Sequence, residues 1–175
     1  MTLAYDISGL SVLIVEDNKH MQFLLKEILR AFNVRRVRTA SDGADALKEI
    51  RVFAADMIIT DWAMEPLDGI DLTRLLRTGS DSKNPYVPII MLTGHTSHAR
   101  VVEARDSGIH EFLAKPISAQ MLYQRIVSVI ENARPFVKHR SYTGPCRRRA
   151  KGADFGGKER RGGQGVMVKE EASAS

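Results

Sequence analysis

The stretch Ser11-Val-Leu-Ile-Val15-Glu16-Asp17-Asn18-Lys-His-Met21-Gln-Phe-Leu24-Leu25-Lys-Glu-Ile28-Leu29-Arg-Ala-Phe32-Asn-Val-Arg-Arg36-Val-Arg-Thr39 decides the fold. Ser11–Val15 is a short apolar run of strand length. It is followed by apolar residues at 21, 24, 25, 28, 29 and 32, the spacing of one helical face. A second strand-length run, Arg36–Thr39, comes next. The unit is therefore strand, helix, strand.

The same alternation continues outward. Strand-length runs recur at Met57–Thr60, Pro88–Leu92 and Glu111–Ala114. Helical spacing links them: Ala44, Ala46, Leu47 and Ile50; then Ile70, Leu72, Leu75 and Leu76; then a weaker set, Val101, Val102 and Ala104, before Gly108. A last helix carries Met121, Leu122, Ile126, Val129 and Ile130, with Ser118 as its N-cap. Five such units predict an α/β fold, a parallel sheet with helices on both faces. Val12–Val15 and Met57–Thr60 are almost wholly apolar, as central strands of such a sheet should be.

Ligands of open parallel sheets bind beyond the carboxyl ends of the strands. Glu16 and Asp17 follow the first strand, Asp61 the third, Thr93 the fourth and Lys115 the fifth. Three gathered carboxylates repel one another unless a cation or proton offsets them. A hard divalent ion such as Mg²⁺, which takes oxygen ligands and keeps several waters, is the economical partner. A lysine and a threonine hydroxyl beside it suit phosphoryl oxygens.

The segments Val12-Leu-Ile-Val-Glu16-Asp17-Asn18, Ile58-Ile-Thr-Asp61-Trp-Ala-Met64, Met91-Leu-Thr93-Gly and Phe112-Leu-Ala-Lys115-Pro116 resemble the receiver domain of two-component response regulators. The resemblance covers residues 9–133. It implies a doubly wound, flavodoxin-like five-stranded sheet with Asp61 as phospho-acceptor. It also implies Mg²⁺ on Glu16, Asp17, Asp61 and the backbone carbonyl of Ala63, and phosphoryl oxygens on Thr93 and Lys115. A histidine kinase or phosphotransferase is the implied donor, and the Lys115-Pro116 bond is expected cis. Two departures stand out: Glu65 precedes Pro66 where the family has proline one place earlier, and Phe112 occupies the switch position where tyrosine is common.

Charge divides the 175 residues unevenly. Residues 1–133 carry a net −2, and residues 134–175 a net +7 with 7 of the 13 glycines. So polar a segment is expected to be a flexible, disordered tail that orders only on binding a ligand. Single-chain disulfides and Cys-based zinc sites are excluded by one cysteine, Cys146, and the five histidines form no metal-ligand pattern. No apolar run approaches a membrane span, and no signal peptide is evident, so a cytoplasmic protein without membrane insertion is expected.

The tail can be read three ways: as an inert basic linker, as a non-specific nucleic-acid contact, or as a guanine-nucleotide ligand segment over residues 140–161. The third is favoured over both others. Arginine forks match guanine O6 and N7. Asp154 would repel DNA phosphates but can accept from guanine N1 and N2 hydrogens, and Tyr142 and Phe155 can stack on purines. The candidate contacts are Arg140, Tyr142, Arg147, Arg148, Arg149, Asp154, Phe155, Arg160 and Arg161. The stretch Arg140-Ser-Tyr142-Thr-Gly-Pro145-Cys-Arg147-Arg148-Arg149 behind a receiver also resembles the CheY-like cyclic di-GMP effectors, or Cle proteins, of alphaproteobacteria. That resemblance implies cyclic di-GMP as ligand, the flagellar motor switch protein as partner, and recruitment to the motor at the cell pole. No output-domain motif follows Ala133, so a binding adaptor is expected and not an enzyme. The alternative is a phosphorelay shuttle with an inert or nucleic-acid-binding tail.

Overall fold

The computed structural model describes residues 5–80, 82–94, 98–139, 142–146 and 166–168. Five strands alternate with five helices: β1 Ser11–Val15, α1 Lys19–Ala31, β2 Arg36–Ala40, α2 Gly43–Val52, β3 Met57–Asp61, α3 Gly69–Thr78, β4 Ile89–Thr93, α4 His98–Ser107, β5 Glu111–Ala114 and α5 Ala119–Glu131. The strands form one parallel sheet in the order β2-β1-β3-β4-β5. The expected elements are all present, with β4 displaced by one residue, because Thr93 still pairs with Ala114.

Alternate strand residues serve two cores. Val12, Ile14, Met57, Ile59, Ile90 and Leu92 pack with Leu25, Ile28 and Leu29 of α1 and Leu122 and Ile126 of α5. Leu13, Val15, Ile58, Ile89 and Met91 pack with Ala46, Ile70, Leu72, Leu76 and Ala104 on the other face. With both faces covered, the central strands are apolar through their middles, and polar residues fall only at their ends. Asn18, Asp42, Asp68 and Ser118 cap their helices by accepting from backbone amides of the first turn.

The expectation of a tail without structure from residue 134 needs correction. Phe136–His139 (β6) and Tyr142–Pro145 (β7) form an antiparallel hairpin, and Val166–Val168 (β8) pairs with the other edge of β6. The physical reason is a single buried aromatic. Phe136 is only 6 % exposed. Its ring meets Tyr86 edge-on at 5.0 Å and His110 at 5.5 Å, and the Arg77 guanidinium lies 5.2 Å from its centroid. Arg134 donates to the His110 carbonyl, and the Cys146 amide to the Pro135 carbonyl. This hairpin sits at the amino ends of β4 and β5, the end of the sheet away from Asp61.

Candidate functional site

Register brings the candidate residues together. β1 lies between β2 and β3, and beyond its last residue come Glu16 and Asp17. Asp61 ends β3 opposite Leu92, one residue before Thr93. The Lys115 amide donates to the Thr93 carbonyl at 2.9 Å. Oxygens of Glu16, Asp17 and Asp61 fall within 4.8 Å of one another. Lys115 Nζ stands 2.9 Å from Asp61 Oδ1 and 3.4 Å from Glu16 Oε2. Glu16, Asp61 and Thr93 are buried, whereas Asp17 is exposed. Ala63 lines the same cleft as Asp17, Trp62 and Met64.

The electrostatics follow from this crowding. Burial, and next the charge of Asp61, raise the pKa of Glu16 against the opposing Asn18 amide and Lys115. Burial works against the Lys115 ammonium, but its hydrogen bond to Asp61 and the charges of Asp61 and Glu16 outweigh it and raise its pKa. A buried carboxylate pair held by one half-buried lysine still has unused oxygen lone pairs and excess negative charge. An all-oxygen donor set of this kind fits Mg²⁺. When bound, the ion supplies charge neutralisation for the carboxylates and for an arriving phosphoryl group.

Sequence reading missed two residues that shape the site. A Cβ at Gly69 would collide with the Asp61 carbonyl oxygen, so only glycine lets α3 start this close to Asp61. The close approach of Gly69 to β3 leaves no local signal in the sequence. Gln22, buried on α1, donates from Nε2 to the carbonyls of Glu16 (2.5 Å) and Ala40 (3.3 Å), tying the loop after β1 to β2. Phe112 is half-buried against the α2–α3–α4 core. The Lys115-Pro116 bond is cis as expected, and so is Glu65-Pro66.

Comparison with known proteins places this arrangement. The family model for the response regulator receiver domain matches residues 12–127. The chain belongs to the response regulator receiver family. It is 31 % identical over 122 residues to the chemotaxis protein CheY of Pseudomonas aeruginosa, covering 70 % of this chain and 97 % of that one. The structure of Vibrio cholerae CheY4 superposes with a TM-score of 0.63 at 29 % identity, over 69 % of this chain and 98 % of that one. The receiver domain of the sensor histidine kinase PA1611 of Pseudomonas aeruginosa was solved with a magnesium ion coordinated in its active-site cleft. It matches at 32 % identity and a TM-score of 0.59, over 69 % of this chain and 95 % of that one. Receiver domains bind Mg²⁺ at the acidic site that Glu16, Asp17 and Asp61 form here.

Of the tail candidates, Arg140, Arg147, Arg148, Arg149, Asp154, Phe155, Arg160 and Arg161 lie outside the described residues. Tyr142 lies in β7, half-buried, and its hydroxyl donates to the Pro145 carbonyl at 2.7 Å. The structure thus gives Tyr142 a place inside the hairpin. No helix among the described residues is long and apolar enough to cross a membrane.

The carboxylate crowding has a measurable consequence. In metal-free protein, Glu16→Gln should raise the melting temperature at pH 7, because it removes a buried charge facing Asp61. The raised pKa of Glu16 means the folded state holds this proton more tightly than the unfolded chain. Its stabilising share is present at low pH and lost as pH rises through the folded value. The gain from Glu16→Gln should therefore shrink as pH falls into the ordinary carboxylate range. A gain that is constant from pH 7 to pH 4.5 would show that the glutamate charge is not its source.

Proposed function

We propose that this protein is a cytoplasmic, phosphorylatable signalling adaptor and not an enzyme in the ordinary sense. Its receiver takes a phosphoryl group on Asp61, and its arginine-rich segment binds cyclic di-GMP. The observation that supports the receiver half is the complete acceptor constellation: Asp61, with Lys115 2.9 Å away and Glu16 and Asp17 beside it. In phosphotransfer from a histidine kinase or phosphotransferase, an Asp61 oxygen forms the new P–O bond as the donor's P–N bond breaks. The departing imidazole nitrogen keeps the bonding electron pair. Lys115 and Thr93 hold the phosphoryl oxygens, a positioning and charge-stabilising role.

The nucleotide half rests on the pattern of residues 140–161, whose net charge is +6 and which places Asp154 among arginines. The relationship to proteins named CheY favours the flagellar motor switch as the partner of the assembled adaptor. Recruitment to the motor at the cell pole follows from that reading.

Calorimetry with cyclic di-GMP tests it. The full chain should bind, and a chain ending after Cys146, which keeps the hairpin, should not. Charge alone would attract any polyanion, and that attraction weakens with salt. Asp154→Ala makes the segment more positive. If Asp154 accepts from a guanine edge, the change should still weaken binding by about 1–3 kcal/mol. Cyclic di-AMP has the same phosphates without O6 or the N2 amine and should bind far more weakly. Equal affinity for the two nucleotides at physiological ionic strength would replace this reading with non-specific polyanion binding.

A further inference from the structure

The hairpin β6–β7 is seated in a place built for it. Gly108, between α4 and β5, has φ +103°, and a Cβ there would lie 2.8 Å from the Thr143 carbonyl oxygen. A Cβ on Gly144 would lie 2.7 Å from the Gly108 Cα and 2.7 Å from the Tyr142 hydroxyl. Two glycines thus meet backbone to backbone, and neither tolerates even a methyl group. Beside them Arg77, buried at the end of α3, donates to three carbonyls. Nε and Nη2 reach Gly108 at 3.1 and 3.0 Å, Nη2 also reaches Val87 at 2.8 Å, and Nη1 reaches Pro85 at 2.8 Å. Burial lowers its pKa to about 9, so it remains charged at neutral pH. Its guanidinium carries the Phe136 ring. His110, held neutral by burial and by Arg77 and Arg134, accepts the Ile89 amide on Nδ1 at 3.2 Å.

Gly108 and His110 lead into β5, and Pro85 and Val87 lead into β4. The carboxyl ends of the same two strands lead to Thr93 and Lys115. Ile89 and Thr93 are four residues apart, about 13 Å along an extended strand. The segments that lead into these two strands, together with Arg77 at the end of α3, therefore form the seat of the hairpin.

We propose that the paired strands β6 and β7 are the receiver's own output element, seated when Asp61 is free and loosened when Asp61 is phosphorylated. Lys115 now contacts both Asp61 and Glu16. A phosphoryl group on Asp61 draws the Lys115 ammonium and the Thr93 hydroxyl to its own oxygens and shifts the ends of β4 and β5. The glycine-on-glycine seat has no slack, so a displacement of Gly108 relative to Gly144 weakens it. A close-packed contact of this kind has two discrete arrangements rather than a continuous range. The inference rests on Asp61 as acceptor and is independent of nucleotide binding.

Hydrogen exchange on the full chain tests it, with Mg²⁺ and beryllofluoride as the phosphoryl mimic. Trp62, the only tryptophan and adjacent to Asp61, reports loading by its fluorescence. Amides of β6 and β7 should exchange at least fivefold faster on loading, and Asp61→Asn should show no change. Unchanged or slower exchange with a clear Trp62 response would overturn the coupling while leaving the acceptor reading intact. A failure of the protein to load at all would overturn both. Gly144→Ala supplies the reciprocal test, because coupling between two sites acts equally in both directions. It should unseat the hairpin, and beryllofluoride should then bind at least threefold more tightly. Unaltered beryllofluoride affinity in a variant whose hairpin amides exchange freely would also overturn the proposal.

Discussion

Asp61→Asn should abolish labelling by acetyl phosphate while leaving the protein folded. The amide lacks the anionic oxygen that forms the P–O bond, so no fraction of the activity should survive. The fold should persist because asparagine matches aspartate in shape and removes one of the charges that crowd Glu16. The melting temperature of the metal-free variant should match or exceed that of the parent. Lys115→Ala should behave differently. It keeps the nucleophile but removes the cation 2.9 Å from it, so labelling should slow by about a hundredfold or more, as when one preorganised donor is lost. Phosphoryl incorporation, followed by radiolabel or intact mass, reads both variants. Persistent labelling of Asp61→Asn would move the acceptor to another residue. Equal rates in Lys115→Ala and the parent would remove lysine from the phosphoryl site.

Phe136→Ala should destabilise the protein by about 3 kcal/mol, although it lies in a segment whose composition reads as solvated. The magnitude follows from truncating a buried phenylalanine, which typically costs about 3–5 kcal/mol. The lower end applies because Arg77, which the ring covers, regains some hydration when the ring is gone. For a chain of this length that loss lowers the melting temperature by about 6–12 °C. Truncation after Ala133 should do the same or more, since it also removes the Arg134 bond to the His110 carbonyl and its contact with Glu111. Truncation after Cys146 keeps the hairpin and should cost far less. Calorimetric melting of the three proteins decides it. If the chain ending at Ala133 melts with the full chain, the hairpin contributes nothing to the receiver, and residue 133 is the true domain boundary.

The gathering of Glu16, Asp17, Asp61, Thr93 and Lys115 was legible because each falls at or just beyond the end of a strand whose pattern is local. Two-faced burial makes β1, β3 and β4 apolar through their middles, and the helix between each pair shows its spacing within a dozen residues. Once five such units are recognised, the parallel sheet and its crossover rule bring Glu16, Asp17, Asp61, Thr93 and Lys115 to one edge. Local periodicity therefore determined the parallel α/β sheet and the place where its polar residues gather, and the motifs at the strand ends carried the resemblance to receivers.

The seat of the hairpin was decided by tertiary structure alone. Phe136 stands between Pro135 and Val137 in a chain segment otherwise rich in charge and glycine, and nothing in its neighbours marks it as buried. Its partners Arg77, Tyr86 and His110 come from three other segments, 26 to 59 residues away in sequence. Arg77 reads as the solvated basic residue of a last helical turn, yet it is 4 % exposed and spends its guanidinium on carbonyls up to 31 residues distant. Gly108 and Gly144 each read as ordinary helix-end and turn glycines, but each excludes a side chain because of the other. Periodicity carries information over a few residues. A contact between surfaces that meet only after the sheet has formed leaves no such trace, and only the assembled fold shows which polar segment it buries.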